Sequence, residues 1–423
     1  MSGSATQGKA IGVATLIINV VVSSVIMIVA FRTLTKLIKS FRSVPKIIST
    51  ISILALVDYL VAWGLALLWY GPESKIDNLL PLGSMSLPLI NTPWIFSGRI
   101  IGIFGLAGFG WAVIYWLTTK QYKLSLATIV LLSLISLIGW LPYRNTNGQT
   151  INAVIISETL SEQIPAITDS VADLVVFPEY GLEQITNDNL DKRIQQKNDH
   201  KTYFVGSTQN YQTNRYGHEN RLLAGNTTTG ITSYQDKYRA IPGGEDLPYL
   251  AQIGLLLTGN AETLRYFRYA KSVITSDQQL QPWQLENIRI GSAVCSSVIA
   301  PQDYRSLTRQ GANILTNSAS LGIFNDSKIF AWQQQSMSRF MAVANSRYLL
   351  QSANGATAYT LDNNGHKITE VSDIDSQDIQ IKSNSQITPY TYAGEWLVYI
   401  GVTAIIVLVI NSRINATKKP KPA

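Results

Sequence analysis

The sequence predicts two unlike parts in one chain, a multi-pass α-helical membrane domain and an extracytoplasmic α/β domain. Three observations carry this expectation. Residues 11–31, 47–69, 100–118 and 124–142 are apolar runs close to the ~20 residues that a membrane-spanning helix needs, and 396–412 is a slightly shorter fifth. Positive charge sits in alternate loops between those runs. Residues 150–392 hold most of the acidic residues and alternate strand-like with helix-like stretches, the pattern of a layered α/β domain. The expected division is an N-terminal membrane domain over 1–145, a globular domain over 150–392, and a last span with a basic tail over 394–423.

The charge pattern also gives an orientation. Arg32, Lys36, Lys39, Arg42 and Lys46 fill the first loop without one acidic residue, Lys120 and Lys123 flank the end of the third span, and Arg413, Lys418, Lys419 and Lys421 fill the tail. By the positive-inside rule all three are cytoplasmic, and counting spans puts residues 70–98 and the whole 150–392 domain outside. The net charge of +7 is therefore a topology signal, with scope for contact to anionic lipid, and it does not indicate a nucleic-acid surface. No cleavage site is evident after the first run, so that run is expected to be retained. Asp58 is an ionisable residue at membrane depth with no obvious partner in the sequence, and a structural role between helices is expected for it. Gly102, Gly105, Gly108 and Gly110 in the third span allow close helix approach.

Within the globular domain, 151–157, 203–207 and 221–224 read as strands, and Asp362-Asn363-Asn364-Gly365 as a hairpin turn. An apolar strand ends in Phe177-Pro178-Glu179-Tyr180-Gly181, which delivers a carboxylate just past its end. Another, 288–294, runs into Cys295, the only cysteine of the chain. Small residues on both sides of Cys295 predict a sharp strand-to-helix turn, which exposes a nucleophile and aims the following backbone N–H at a developing oxyanion. Between them lies Tyr234-Gln235-Asp236-Lys237-Tyr238-Arg239, followed by Pro242-Gly243-Gly244-Glu245.

This order of Glu, Lys and Cys resembles the Glu-Lys-Cys triad of the carbon-nitrogen hydrolase (nitrilase) superfamily. Lys237 with Glu245 eight residues on, then Leu247-Pro248, resembles the lysine segment of its apolipoprotein N-acyltransferase branch. Gly311-Ala312-Asn313-Ile314-Leu315-Thr316-Asn317-Ser318, Ser338-Arg339-Phe340-Met341-Ala342-Val343-Ala344 and Ser352-Ala353-Asn354-Gly355 fall where that branch has its post-cysteine strand, arginine-bearing helix and Asn-Gly turn. The resemblance covers roughly 150 to 375 and implies an α-β-β-α sandwich in a bacterial inner membrane, with residues 246–287 as a mobile lid. There are departures. Ser297 stands where the branch has a glutamate, Asn317-Ser318 where it has an Asn-Asp pair, and the branch has more spans before the domain.

The chemistry follows from the residue types. A thiol with a pKa of roughly 8.5 needs a base at neutral pH, and Glu179 is the candidate. Lys237 and the backbone N–H near Ser296 are candidates for stabilising the oxyanion, while Glu245 is assigned by the resemblance to the base or the incoming amine. His200, His218 and His366 sit in polar loop contexts, which disfavours a Cys-His pair, and one cysteine without a histidine cluster disfavours zinc. No cofactor is expected. The leading function is transfer of an acyl chain from a phospholipid through a Cys295 thioester to the α-amino group of a diacylglyceryl-cysteine lipoprotein. A membrane-anchored nitrilase-type amidase and a degenerate, non-catalytic homologue are the alternatives.

Overall fold

The computed structural model describes residues 21–417 except 23, 37–42, 78, 80, 82, 144–147, 165, 168–170, 184–189, 196–199, 211–216 and 322–327. Residues 11–20 of the first apolar run, Lys39 and Arg42 of the first loop, and the tail lysines lie outside the described residues. Among those described, three helices are long and apolar enough to cross a membrane: Pro45–Leu68, Pro93–Thr118 and Tyr122–Tyr143. A shorter apolar helix covers Trp396–Ile410. The helices are labelled α1 (Ser43–Leu68), α2 (Ser86–Ile90), α3 (Gly98–Thr118) and α4 (Tyr122–Trp140).

Helix α3 is the hub, and its glycines explain how. A Cβ on Gly108 would lie 2.5 Å from the Ile51 carbonyl oxygen, so α1 and α3 approach through backbone. At Gly102 the helix breaks, with φ 72° and ψ −173°. Such a break frees backbone donors and acceptors that an apolar setting cannot leave unpaired. The head of the last helix supplies the partners. Glu395 Oε1 accepts from Ile103 N and Oε2 from Phe104 N, both at 3.0 Å, and Trp396 Nε1 donates to Ile100 O at 2.6 Å. Asp58 also finds partners that the sequence did not reveal: Ser84 Oγ donates to Oδ2 at 2.6 Å and Trp111 Nε1 to Oδ1 at 2.9 Å.

The α/β part continues through β1 (Thr150–Glu158), β2 (Leu174–Val176), β3 (Tyr203–Asn210), β4 (His218–Asn226) and β5 (Gly230–Asp236). The helices α5 (Tyr249–Leu257) and α6 (Ala261–Ala270) precede β6 (Trp283–Leu285) and β7 (Ile288–Val294). Then come α7 (Pro301–Arg309), β8 (Ile314–Ser320), α8 (Lys328–Ala344) and β9 (Leu349–Asn354). The strands β10 (Ala358–Leu361), β11 (Lys367–Val371) and β12 (Asp375–Lys382) lead to α9 (Pro389–Ala393) and α10 (Trp396–Thr417). The main sheet runs β5-β4-β3-β2-β1-β9-β8-β7-β6. Its middle, from β3 to β7, is parallel, and β12 pairs antiparallel along β1. Among the described residues these twelve strands and the two-residue strand Val273–Ile274 beside β4 are linked by hydrogen bonds into one network, so the strands that follow β9 fold back without separating from it.

The two parts share one core. Leu54, Phe104 and Leu106 of the apolar helices belong to the same buried cluster as Tyr304, Met337 and Phe340 of the α/β part. Arg99, fully buried, rivets them: its guanidinium donates to Val343 O, Gly139 O, Asn363 O and Asn364 Oδ1. The parallel strands therefore end over a base anchored to the helices.

The mended helix break yields a stability prediction. Gly102→Ala forces an L-residue into a left-handed conformation and drives its Cβ into the Glu395 carboxylate. Backbone strain of this kind costs roughly 1–3 kcal/mol, so the unfolding midpoint of the purified protein is expected to fall. Glu395→Gln should lower it too, because a carboxamide offers one accepting oxygen to two N–H groups. An unchanged midpoint in both variants would contradict the assignment.

Candidate active site

β2 ends at Val176 and β7 at Val294, and three strands, β1, β9 and β8, lie between them in the sheet. The chain after β2 closes that gap by crossing the ends of the intervening strands. Ser352 Oγ donates to Val176 O at 2.6 Å and Ser318 Oγ to Phe177 O at 2.8 Å. Glu179 N then donates to Ala319 O at 3.2 Å, and Asn354 Nδ2 donates to Glu179 O. The polar residues of β8 and β9 thus carry Glu179 across to Cys295.

Cys295 itself has φ 45°, and the 3-10 turn Cys295–Ile299, with Ser296 as its second residue, starts there. This is the sharp strand-to-helix turn expected from the sequence, held in a conformation that costs an L-residue of order 1–3 kcal/mol. The Sγ–H donates to Ser320 O at 3.4 Å, and the thiol lies close enough to the Glu179 carboxylate for each to shift the other's titration.

Lys237 follows β5 and is fixed from both sides, its N donating to Asn220 O at 2.8 Å and its O accepting from Ser276 N at 2.9 Å. Its ammonium donates to Glu179 Oε1 at 3.1 Å and to Glu245 Oε1 at 2.6 Å. The eight-residue interval to Glu245 closes because the N–H groups of Gly244, Glu245 and Asp246 all turn back onto Ile241 O. Glu245 Oε2 in turn accepts from Ile241 N at 2.8 Å. Glu179, Lys237 and Cys295 are 2 %, 1 % and 2 % exposed, so their interactions are little screened by water.

Burial pushes the Cys295 thiol well above its ordinary pKa; the Glu179 charge adds to the effect and Lys237 opposes it. Glu179 is also raised, first by burial, with Lys237 opposing and Glu245 adding. Burial would lower Lys237, but Glu179 and Glu245 outweigh it and keep the ammonium charged far above its usual range. The resting site is thus a protonated thiol beside a carboxylate of raised basicity, with a fixed cation touching that carboxylate. Such a site makes thiolate only when a carbonyl is there to receive it.

Several site residues were not read from the sequence. Asn220 Nδ2 donates to Glu179 Oε1 at 2.5 Å. His218, expected in a polar loop, instead heads β4, is buried, and lies with its ring 6.4 Å from that of Tyr180. Burial lowers its pKa, with Glu245 opposing, so the ring is neutral at pH 7. Ser297 is buried and bonds Asp303. Asp303 accepts from Arg239 Nε at 2.8–2.9 Å, and Arg239 reaches Asp77 of the loop after α1 at 3.1 Å. The signal for these was alternation: Asn220 and Leu222 face opposite contacts from Glu219 and Arg221, but nothing in the sequence says which face meets Glu179. Among the described residues no group of three or more His, Cys, Asp or Glu is placed to hold a metal ion.

The electrostatics predict the thiol's reactivity. Alkylation of Cys295 by iodoacetamide should keep accelerating with pH beyond the range where an ordinary thiol, with a pKa of roughly 8.5, has levelled off. Glu179→Gln, which removes a negative neighbour, should bring that rise to lower pH. A plateau already reached at neutral pH in the wild type would show a preformed thiolate and contradict this picture.

Residues 149–375 match the family described as carbon-nitrogen hydrolase. Among solved structures, a carbon-nitrogen hydrolase from Helicobacter pylori G27 is similar at 13 % identity and a TM-score of 0.39, over 55 % of this chain and 90 % of that one. An amidase from Nesterenkonia sp. shares 10 % identity at a TM-score of 0.40, over 60 % of this chain and 97 % of its own. Nit3 of Saccharomyces cerevisiae, from the nitrilase superfamily, shares 12 % at a TM-score of 0.38, over 56 % and 92 %. No curated protein matches the chain. The family match spans more than half of the 423 residues and contains the strand ends that bring Glu179, Lys237 and Cys295 together, and the chain belongs to the carbon-nitrogen hydrolase family.

Proposed function

We propose that this member of the family is a membrane-bound N-acyltransferase, which takes an acyl chain from a phospholipid onto Cys295 and passes it to the α-amino group of a diacylglyceryl-cysteine lipoprotein. The observation that carries the reading is α5. This helix follows the lysine loop and starts against the end of α1, where Tyr249 N donates to Tyr70 O at 2.9 Å. It buries its glutamine, with Gln252 Nε2 donating to Leu247 O and Oε1 accepting from Arg268, and it exposes Leu250, Ile253, Leu256 and Leu257. A helix inverted in this way suits a lipid surface and not water. A water-soluble substrate gives no reason to place such a helix beside the end of an apolar one.

The orientation is part of the proposal. The α/β part joins the ends of α1 and α4 and the starts of α3 and α10 on one side, while Lys46 meets Gln121 at 2.9 Å at the other end, beside Lys120 and Lys123. With that basic end in the cytoplasm of a bacterial inner membrane, the site faces outward.

The two steps use the same groups. Sγ attacks the ester carbonyl of the phospholipid while its proton passes to Glu179; the S–C bond forms, the C–O bond breaks, and the proton leaves with the lysophospholipid alkoxide. In the second step the amine nitrogen attacks the thioester, an N–H proton passes to Glu179, the C–S bond breaks, and Sγ recovers the proton. Lys237 has three N–H bonds, and the two carboxylates take two of them. The third, with the backbone N–H of Ser296, serves the oxyanion, each such donor being worth about 3 kcal/mol of barrier. A cavity of about 360 Å³ lies beside the strand ends at Leu321 and Gly355, walled by Phe330, Trp332 and Tyr359, and none of Glu179, Lys237 and Cys295 lines it. One observation favours the amidase reading, in which water is the second nucleophile: Ser297, tied to Asp303, brings no carboxylate of its own to the thiol.

Intact-mass measurement separates the two. On phospholipid alone the enzyme should gain one acyl mass on Cys295 that persists for minutes and discharges when a lipopeptide with a free diacylglyceryl-cysteine amine is added. Cys295→Ala should take up none, and Glu179→Gln and Lys237→Met should load far more slowly. Release of free fatty acid at the same rate with and without the lipopeptide would overturn the transferase in favour of the amidase.

A further inference from the structure

Arg339, in the middle of the arginine-bearing segment of α8, takes no part in the catalytic triangle. A guanidinium has five N–H bonds to donate and keeps its charge in a protein. Among the described residues this one makes a single hydrogen bond, from Nη1 to Asn91 Oδ1 at 3.3 Å, and no carboxylate oxygen lies within 4.0 Å of it. Its Nε is buried without an acceptor. Burial works against the charge, and the more distant Asp362 opposes that effect. Asp362 is itself taken up by its own turn: Oδ1 accepts from Asn364 N and His366 N, both at 2.8 Å, and Oδ2 pairs with the His366 ring at 3.2 Å. Arg339 is therefore a half-buried cation without a counter-ion, in a setting where proteins normally pair their charges.

The cation stands on the wall of a cavity of about 390 Å³, with Asn91, His366 and Lys367. Here α8 lies so close to the start of α3 that a Cβ on Gly98 would meet the ring of Phe340, the next residue, at 2.7 Å. Lys367 is engaged by an exposed pair with Glu370, a kind of contact too weak to hold it from another anion. The cavity shares Trp332 and Gln335 with the one of about 360 Å³ beside Leu321 and Gly355. The two are halves of one groove. Lys328, Ala331, Gln335 and Arg339 line it along one stripe of α8, about 16 Å long at the helical rise of about 1.5 Å per residue. The half away from Arg339 is walled by Phe330, Trp332 and Tyr359, and none of Glu179, Lys237 and Cys295 lines either half.

An unpaired cation at one end and an aromatic trough at the other match an amphiphile with an anionic head. We propose that this groove binds a phospholipid, with its phosphate diester on the Arg339 guanidinium and Lys367 and its chain along Trp332 and Phe330. A guanidinium is the side chain best shaped for phosphate oxygens. Free phosphate leaves the aromatic half empty, and a neutral lipid leaves Arg339 unpaired. Glu370 on the inner wall and Asp362 under the turn repel a multiply charged anion, which favours the single charge of a diester. The place suits a lipid too, because the Arg339 end lies against Asn91, just before a helix long and apolar enough to cross a membrane. The inference concerns binding alone. It goes beyond the transferase reading and holds whether an acyl group passes to an amine, to water or to neither.

Cys295 is the only cysteine, so Cys295→Ala gives a full-length chain without thiols in which one new thiol can report on the groove. Gln335→Cys places it where the two halves meet, and Ser233→Cys, on the exposed face of β5, serves as the control. The rate of alkylation by iodoacetamide is followed against rising dihexanoyl phosphatidylglycerol, kept below its micelle concentration. The thiol at 335 should be protected and the thiol at 233 should not. Adding Arg339→Gln should raise the half-protecting concentration about ten- to a hundredfold, the loss of a hydrogen-bonded charge. Arg339→Lys, which keeps the charge, should lose less. Lys367→Gln, an exposed change that leaves the core alone, should raise it about two- to fivefold and keeps the test open if Arg339→Gln does not fold. Inorganic phosphate at the same concentrations should protect far less than the lipid. Protection unchanged by both Arg339→Gln and Lys367→Gln, or equal protection at 233, would overturn the site, and equal protection by inorganic phosphate would replace the lipid with the free anion.

Discussion

Lys237 carries a full charge at 1 % exposure because two carboxylates hold it there, and the rest of the site depends on that triangle. Removing one partner from a buried ion pair typically costs 3–5 kcal/mol, because the charge left behind stays buried. The cation therefore cannot drift, and neither can the two anions. Glu179 and Glu245 are drawn together by the lysine and repel each other through it; burial first, and that repulsion after it, leave Glu179 more basic than an ordinary glutamate although Lys237 opposes both. Preorganised charge in a dry site is the form of stabilisation that needs no rearrangement as the oxyanion appears.

The triangle is set on the sheet by the crossing segment and on the apolar helices by the loop after α1. Ser74 Oγ donates to Asp246 at 2.7 Å, one residue past Glu245, and Glu73 accepts from Thr275 N at 2.8 Å, next to Ser276, whose N–H bonds Lys237 O. Asp77 reaches Arg239 and through it Asp303 and Ser297. The residues on each side of Lys237 and the turn after Cys295 are thus clasped by one loop that rises from the helix α1. This ties the nucleophile's geometry to the helices and gives a physical reason for fusing them to the α/β part.

The strands that position the site were legible because each is an apolar run bounded by turn residues, and the Glu, Lys and Cys at their ends were legible from residue type and order. Glu245 was found through the resemblance of the Lys237–Glu245 segment to the lysine segment of the acyltransferase branch. What the sequence hid were partners brought together by tertiary path. Asp58 found Ser84 and Trp111 across helices, and Glu395, a lone acid before an apolar run, found the break at Gly102 nearly three hundred residues away. His218 looked like a loop residue because glycine precedes it and polar residues surround it, yet it opens β4 against Tyr180. Asn220 and Asn354 sit on strands of ordinary pattern, and only the crossing of the sheet by 177–181 makes them neighbours of the base. Pattern reports which face a residue lies on, while contacts four strands apart depend on the route the chain takes.

The central claim is that Glu245 acts on Glu179 through charge, across the shared lysine. The most direct measurement is the pH dependence of Cys295 acylation by an active ester in wild type and Glu245→Gln, which removes the charge and keeps one of the two accepting oxygens. Because the Glu245 charge raises Glu179, its removal should move the acid limb of the profile to lower pH. A limb that stays in place or moves to higher pH would contradict the account.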